Sequence, residues 1–252
     1  MITRIEAHSF KSMPSAHEEN YDGWQLRLSS SRTKRINSVN FPGKPEGAIN
    51  LDEKISFCEV YYNKHRHPCR FRITPLTDPA SLENELSIRR YQPIDKTDIL
   101  VQDLNPSRSI QQNTSVKFEK NLTQDWLNVI CDLTERDKEE DKRSLLDTLN
   151  RIEIDTCYAS ILVDGKIAAC GLATFNDGLM GLFEIATDPA HQRKGLGRQL
   201  IDQLLNEAVK RDIKTAYLQV VQSNETGRTF WTAMGFSQEL YSYQYWVQPY
   251  DG

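Results

Sequence analysis

One short segment constrains this chain more than any other. Residues 187–198, Thr-Asp-Pro-Ala-His-Gln-Arg-Lys-Gly-Leu-Gly-Arg, join an apolar strand-like run at 182–187 to an amphipathic run at 195–211. The second run sets Leu200, Ile201, Leu204, Leu205, Ala208 and Val209 on one helical face. Gly195 and Gly197 flank Leu196 and let the backbone turn tightly, so successive N–H groups can face one point at the helix start. Unpaired amides and the helix dipole favour an anion there, and a pyrophosphate fits that geometry. Arg193, Lys194 and Arg198 add mobile positive charge. The alternative is an ordinary strand–loop–helix turn in which the glycines only ease packing. A dinucleotide fingerprint fits worse because its third glycine is missing, and no Gly-Lys-Ser/Thr of a Walker loop occurs.

Around this segment the pattern alternates between strands and helices. Before it, residues 123–133 and 141–152 read as helices, and 158–163 and 167–175 as strands joined by the hairpin signal Asp164-Gly165. Asn176-Asp177-Gly178 turns the chain again. After it come a strand at 215–221, a helix at 225–234 and a last strand at 241–247. Strand, crossover helix and strand make a mixed α/β sheet with at least one parallel pair. Further upstream, residues 24–28 alternate like a half-buried strand, with 36–41 able to pair with it. A helix is expected at 51–64 behind a cap at Asn50, a strand at 69–73, a helix at 81–91 and a strand at 99–101.

The best boundary lies at residues 103–115, polar, Pro-containing and without apolar periodicity. It divides the chain into expected units at 1–108 and 113–252. Neither is a nucleic-acid module by charge, with 16 basic against 14 acidic residues up to position 112 and 15 against 21 beyond it. No apolar run is long enough to span a bilayer, and the start shows no signal peptide. The five scattered cysteines read as reduced thiols, pointing to the cytoplasm. His65-Arg66-His67 lacks further ligands at metal-site spacing and reads as a solvated loop, so no metal is expected. Arg27, Arg32, Lys34 and Arg35 form a basic hairpin, either a solvated face or a contact for an anionic acceptor.

Gln192-x-x-Gly195-x-Gly197 matches the Q/R-x-x-G-x-G/A signature of the GNAT superfamily of N-acetyltransferases, and it follows an apolar strand ending in Asp-Pro as that signature does. Asn224, followed by Phe230-Trp231-x-x-x-Gly235-Phe236, resembles the second element of that family. The segments 182–198 and 218–224 most resemble the enzymes that acetylate the N-termini of ribosomal proteins. The resemblance implies a GNAT fold, a mixed and mostly antiparallel sheet with a splayed parallel pair. It implies acetyl-coenzyme A as co-substrate and the primary amine of a small molecule or a peptide N-terminus as acceptor. By the same resemblance, Ile185, Ala186 and Thr187 hold the pantetheine arm. Gln192 and the amides of Arg193, Lys194, Gly195, Leu196, Gly197 and Arg198 hold the pyrophosphate, while Asn224 reaches the arm and Trp231 stands beside the coenzyme.

Two positions depart from the family pattern. Trp231 replaces the tyrosine that serves as acid, and an indole is no useful acid near neutral pH. Gln219 stands where the ribosomal-protein enzymes carry a glutamate base, and it cannot titrate. Glu184 is the substitute base to expect, with Phe183 and Ile185 on the opposite face by strand alternation and a burial-raised pKa; the alternative is a carboxylate that is hydrogen-bonded or faces solvent. On the last strand Tyr241, Tyr243 and Tyr245 are candidate acids, Tyr243 foremost, or else aromatic packing. Residues 20–105 resemble the first domain of bacterial tandem GNAT proteins, a degenerate copy of the same fold. Residues 74–79 (Thr-Pro-Leu-Thr-Asp-Pro) lack glycine there, and two prolines remove N–H donors from any phosphate nest. A non-catalytic acetyl-coenzyme A sensor is the second expectation, motivated by Trp231 and Gln219.

Overall fold

The computed structural model describes residues 1–30, 33–43, 47–77, 81–105 and 115–248. The chain runs α1 (Ile2–Ser12), β1 (His17–Tyr21), β2 (Trp24–Leu28), β3 (Ser38–Asn40), α2 (Leu51–Lys64), β4 (Arg70–Ile73), α3 (Leu82–Ile88) and β5 (Gln92–Asp103). It continues through β6 (Val116–Glu119), α4 (Gln124–Leu133), α5 (Glu139–Asn150), β7 (Asp155–Val163), β8 (Lys166–Asn176) and β9 (Leu179–Thr187). The last elements are α6 (Leu196–Lys210), β10 (Thr215–Val221), α7 (Glu225–Ala233) and β11 (Gln238–Val247).

Local chemistry explains the boundaries that the sequence marks well. The side chains of Asn50, Thr123 and Asn224 accept the amides of Glu53, Trp126 and Gly227, capping α2, α4 and α7. Asp164 and Gly165 both take positive φ, as the tight β7–β8 hairpin requires. α6 buries Leu200, Ile201, Leu204, Leu205 and Ala208 against one face of the sheet, while α4 and α5 cover the other with Trp126, Ile130, Leu145 and Leu149. A separate core around Trp24, Phe41, Phe71 and Tyr91 packs under α2. All five cysteines are buried and unpaired.

Three elements escape the sequence pattern: α1, β1 and β6. The inner face of α1 buries Glu6, His8, Ser9 and Ser12 beside Ile5, so polar residues stand where an apolar stripe would betray a helix. The expected strand at 36–41 is shorter, because residues 34–36 form a 3₁₀ turn first. Of the expected linker, Asp103 closes β5, Val116 follows at the start of β6, and residues 106–114 lie outside those described.

The strands form one sheet in the order β1-β2-β3-β4-β11-β5-β10-β9-β8-β7-β6. Its parallel pairs are β9 with β10 and β3 with β4. The order carries one unexpected feature. β5, which precedes residue 108, lies between β10 and β11, and β11, the last strand, lies between β5 and β4. Each half thus lends its final strand to the neighbourhood of the other. α1 crosses as well, with Ser12 Oγ 2.8 Å from Thr174 Oγ1 of β8 and His8 Nδ1 2.8 Å from the Tyr217 hydroxyl of β10.

Candidate active site

β9 and β10 pair over only three residues, Leu179–Gly181 with Thr215–Tyr217, and then diverge. Beyond Gly181 the β10 side of β9 keeps its backbone groups unpaired, and half-buried Ile185, Ala186 and Thr187 line that open edge. An extended amide-bearing chain has a ready place there as an added strand. At the end of this edge Asp188 accepts the Ala190 amide at 2.8 Å, Arg193 takes positive φ, and Gly195 caps α6 with φ 81°. The amides of Leu196, Gly197 and Arg198 open a fifteen-residue helix without a side-chain cap, so three donors and the positive end of the dipole face outward. A Cβ on Gly197 would meet Thr187 Oγ1 at 3.4 Å and the Phe230 ring at 3.5 Å, so the first turn of α6 packs directly against the end of β9. These residues would suit a coenzyme, the first turn of α6 its pyrophosphate and the β9 edge its extended arm.

Asn224 and Trp231 have local duties. The Asn224 oxygen is spent on the Gly227 amide at 2.8 Å. Trp231 packs edge-on against Phe230 and Phe236 on the α6 side of the sheet. Gln192 reaches back to the Thr187 carbonyl at 3.4 Å.

Glu184 corrects the expectation of simple alternation. The β8–β9 register slips between Cys170/Ala186 and Leu172/Phe183, so Gly171 stands opposite an extra residue and Glu184 takes φ 49°. Phe183 and Ile185 consequently lie on opposite faces, Phe183 in the core under α4 and Ile185 in the core under α6. Gly171 makes room for the bulge, since a Cβ there would stand 2.4 Å from the Ile185 terminal methyl. Nor is Glu184 isolated in apolar surroundings. Both its oxygens are held by Arg136, at 2.8 and 3.2 Å, with the carboxylate side chain 12% exposed. Arg136, in the α4–α5 loop, is the site residue that sequence reading missed; nothing in its position links it to a strand 48 residues on.

Tyr243 of β11 is buried and donates its phenol proton to Gln219 Oε1 at 2.9 Å, while Gln219 Nε2 donates to Ser9 Oγ of α1 at 2.8 Å. Gln219 thus orients a phenol. The Tyr243 ring lies under the Arg72 guanidinium at 3.7 Å and against Tyr245. Burial pushes the Tyr243 phenol up, but the Arg72 and Arg35 cations outweigh it and hold the group below its ordinary value. Tyr241 instead donates to the Glu6 carboxylate, and burial drives its pKa up.

The same face opens into a cavity of about 270 Å³ lined by Met13, Thr33 and Ile36 from the first half and Arg136, Asp141 and Leu145 from the second. The basic hairpin splits in its duties. Arg27 is fully buried, donating to the Met13 and Arg35 carbonyls and to Glu18, so it is no solvated residue. Lys34 pairs with Asp95, and Arg35 sits over the Phe183 ring at 5.5 Å. Arg32 lies outside the described residues. In the first half, the loop after β4 uses its own amides: Leu76 and Thr74 donate to the Thr74 and Thr77 hydroxyls, and Thr77 to the Thr74 carbonyl.

Comparison with known proteins agrees with this geometry. Residues 123–236 match the acetyltransferase (GNAT) family. Over 243 residues, 94% of each chain, the protein is 26% identical to YobR, an uncharacterised N-acetyltransferase of Bacillus subtilis. Over 75 residues it is 37% identical to the [ribosomal protein bS18]-alanine N-acetyltransferase of Escherichia coli, a match spanning 30% of this chain and about half (51%) of that relative. Among solved structures, a GCN5-related N-acetyltransferase from Kribbella flavida superposes with a TM-score of 0.72 at 13% identity, covering 98% of this chain and 95% of that one. A tandem GNAT protein from the clavulanic acid biosynthesis pathway gives 0.68 at 10% identity, covering 98% and 89%. At such identities these two likenesses speak for the fold alone.

Proposed function

From a chain that carries an acetyltransferase domain of the GNAT family over residues 123–236, we propose an N-acetyltransferase that moves the acetyl group of acetyl-coenzyme A to a primary amine by direct attack. The observation that carries this reading is the meeting, at one end of the sheet, of an open β9 edge with the free first turn of α6. The edge suits the pantetheine arm and the turn suits the pyrophosphate. The acceptor is the amine of a small molecule or a peptide N-terminus. The small cavity beside Arg136 supports the first, and the acceptor named for the ribosomal-protein relative supports the second. We read residues 1–108 as a degenerate copy of the fold that walls the acceptor cavity. We place the reaction in the cytoplasm, in keeping with five unpaired thiols.

In this mechanism an N–C bond forms and the C–S bond breaks. The amine sheds protons and the thiolate gains one. Glu184, steadied by Arg136, takes a proton from the amine directly or through one water. Tyr243 gives its proton to the departing sulfur, and Gln219 sets the phenol's orientation beforehand. Positioning supplies much of the rest, because a neutral amine held against a thioester needs little further chemistry.

A non-catalytic acetyl-coenzyme A sensor is the competing reading, favoured by Trp231 packing where the family's phenol acid stands. Release of free coenzyme A, followed across a panel of small amines and short peptides, separates the two. Turnover that saturates with at least one amine supports the enzyme. Stoichiometric binding with no release above the buffer rate for any of them would leave the sensor.

A further inference from the structure

The exchange of final strands sets Tyr243 against a charge from the first half of the chain. Because β11 lies beside β4, Tyr245 is in register with Arg72, and the Arg72 guanidinium comes to rest 3.7 Å from the centre of the Tyr243 ring. Arg72 is held in turn. It is fully buried, Glu6 of α1 grips two of its nitrogens (the longer contact 2.9 Å), and Tyr241 donates to the same carboxylate. On its other side the phenol meets Gln219, itself tied to Ser9. We propose that Arg72 is a positioning residue for acetyl transfer, which fixes Tyr243 and bears the negative charge the phenol acquires when its proton leaves.

The proposal rests on the reading of Tyr243 as the acid. When the C–S bond breaks, its electron pair stays on sulfur, the Tyr243 proton moves to that sulfur, and the phenol oxygen is left negative. Such a charge in a buried site is costly unless compensated. The cations available are Arg72 from β4 and Arg35 from the 3₁₀ turn, with Tyr245 of the same strand as a further hydrogen-bond partner. Glu6 offsets part of the Arg72 charge, and Tyr241 and Tyr217 face the same space as neutral phenols driven up by burial. The balance still lowers Tyr243, while Tyr245 is pushed up, first by burial and then by Tyr243 itself. A buried ion pair contributes little net stability compared with apolar packing of the same volume. Its place under this ring gives Arg72–Glu6 a catalytic use that stability does not require.

The test titrates tyrosinate by ultraviolet difference spectra, with Tyr243→Phe subtracted from wild type to isolate one phenol. Wild type should show Tyr243 ionising below the ordinary value of about 10. Removing the pair together, Arg72→Met with Glu6→Gln, should raise that titration by about one pH unit or more. It should also move the alkaline limb of kcat upward, lower kcat about tenfold and leave acetyl-coenzyme A affinity unchanged. Should the double variant fail to fold, Arg72→Gln replaces it and should raise the titration likewise, while Arg72→Lys, which keeps the charge, should preserve most of the shift. A Tyr243 titration that stays in place in the folded double variant, or in Arg72→Gln, overturns the role of Arg72 while leaving Tyr243 as the acid. Full activity in Tyr243→Phe, with the spectral shift present, would instead remove Tyr243 from the reaction and the role of Arg72 with it.

Discussion

Glu184 shows how a single residue can be found from sequence and still be misread in its surroundings. Its place, just before the open edge of β9, follows from the strand pattern and the glycine motif downstream. Its setting does not, because a bulge reverses the alternation on which the reading of a burial-shifted base rested, and the carboxylate is hydrogen-bonded to Arg136, the alternative the sequence left open. Gly195 and Gly197 were legible because a tight turn before a helix admits few residues. Arg136 was not, since a salt bridge between a loop and a bulge leaves no local pattern. If Glu184 is the base, Glu184→Gln should keep acetyl-coenzyme A binding nearly intact. It should lower turnover on the best amine by about 10²–10⁴-fold, the usual worth of a positioned base. The acid limb of the pH–rate profile should move or vanish with it. Wild-type turnover with an unaltered profile would make Glu184 a structural anchor for Arg136.

At the scale of elements, helices and strands with one apolar face were readable, and their caps set the ends to within a few residues: Asn50 before α2, Thr123 before α4. α1 was not readable because it buries polar side chains into a hydrogen-bonded seam with the second half. His8 is the centre of that seam, bonded to the Tyr217 hydroxyl and to Ser12. Burial, aided by Lys11, depresses its pKa to about 4 from 6.5. The unfolded chain therefore takes up this proton first as pH falls. Stability is full above about pH 6.5 and declines toward pH 4, by at most about 1.4 kcal/mol per pH unit. Urea midpoints measured across that window should fall with acidification in wild type and fall less in His8→Gln. Parallel slopes in the two proteins would remove α1 from the account of acid stability.

For the whole molecule, sequence indicated two units and a sheet with a parallel pair, and it gave no hint that β5 and β11 change places. Strand order is set by contacts between residues far apart in the chain, and the polar run at 103–115 reads as a linker whichever sheet its neighbours join. The exchange makes the halves one structure with unequal parts. The β9–α6 corner presents free amides for a phosphate chain, whereas the loop after β4 spends its amides on Thr74 and Thr77. The central claim, a single coenzyme site at the β9–α6 corner, is tested by calorimetric titration with acetyl-coenzyme A. Wild type should bind one molecule per chain. Gly195→Asp, forced to positive φ with a carboxylate at the anion site, should bind at least about tenfold more weakly, a loss of about 1.4 kcal/mol, with the fold retained. Two equivalent sites per chain, or an affinity unchanged in the folded Gly195→Asp protein, would contradict it.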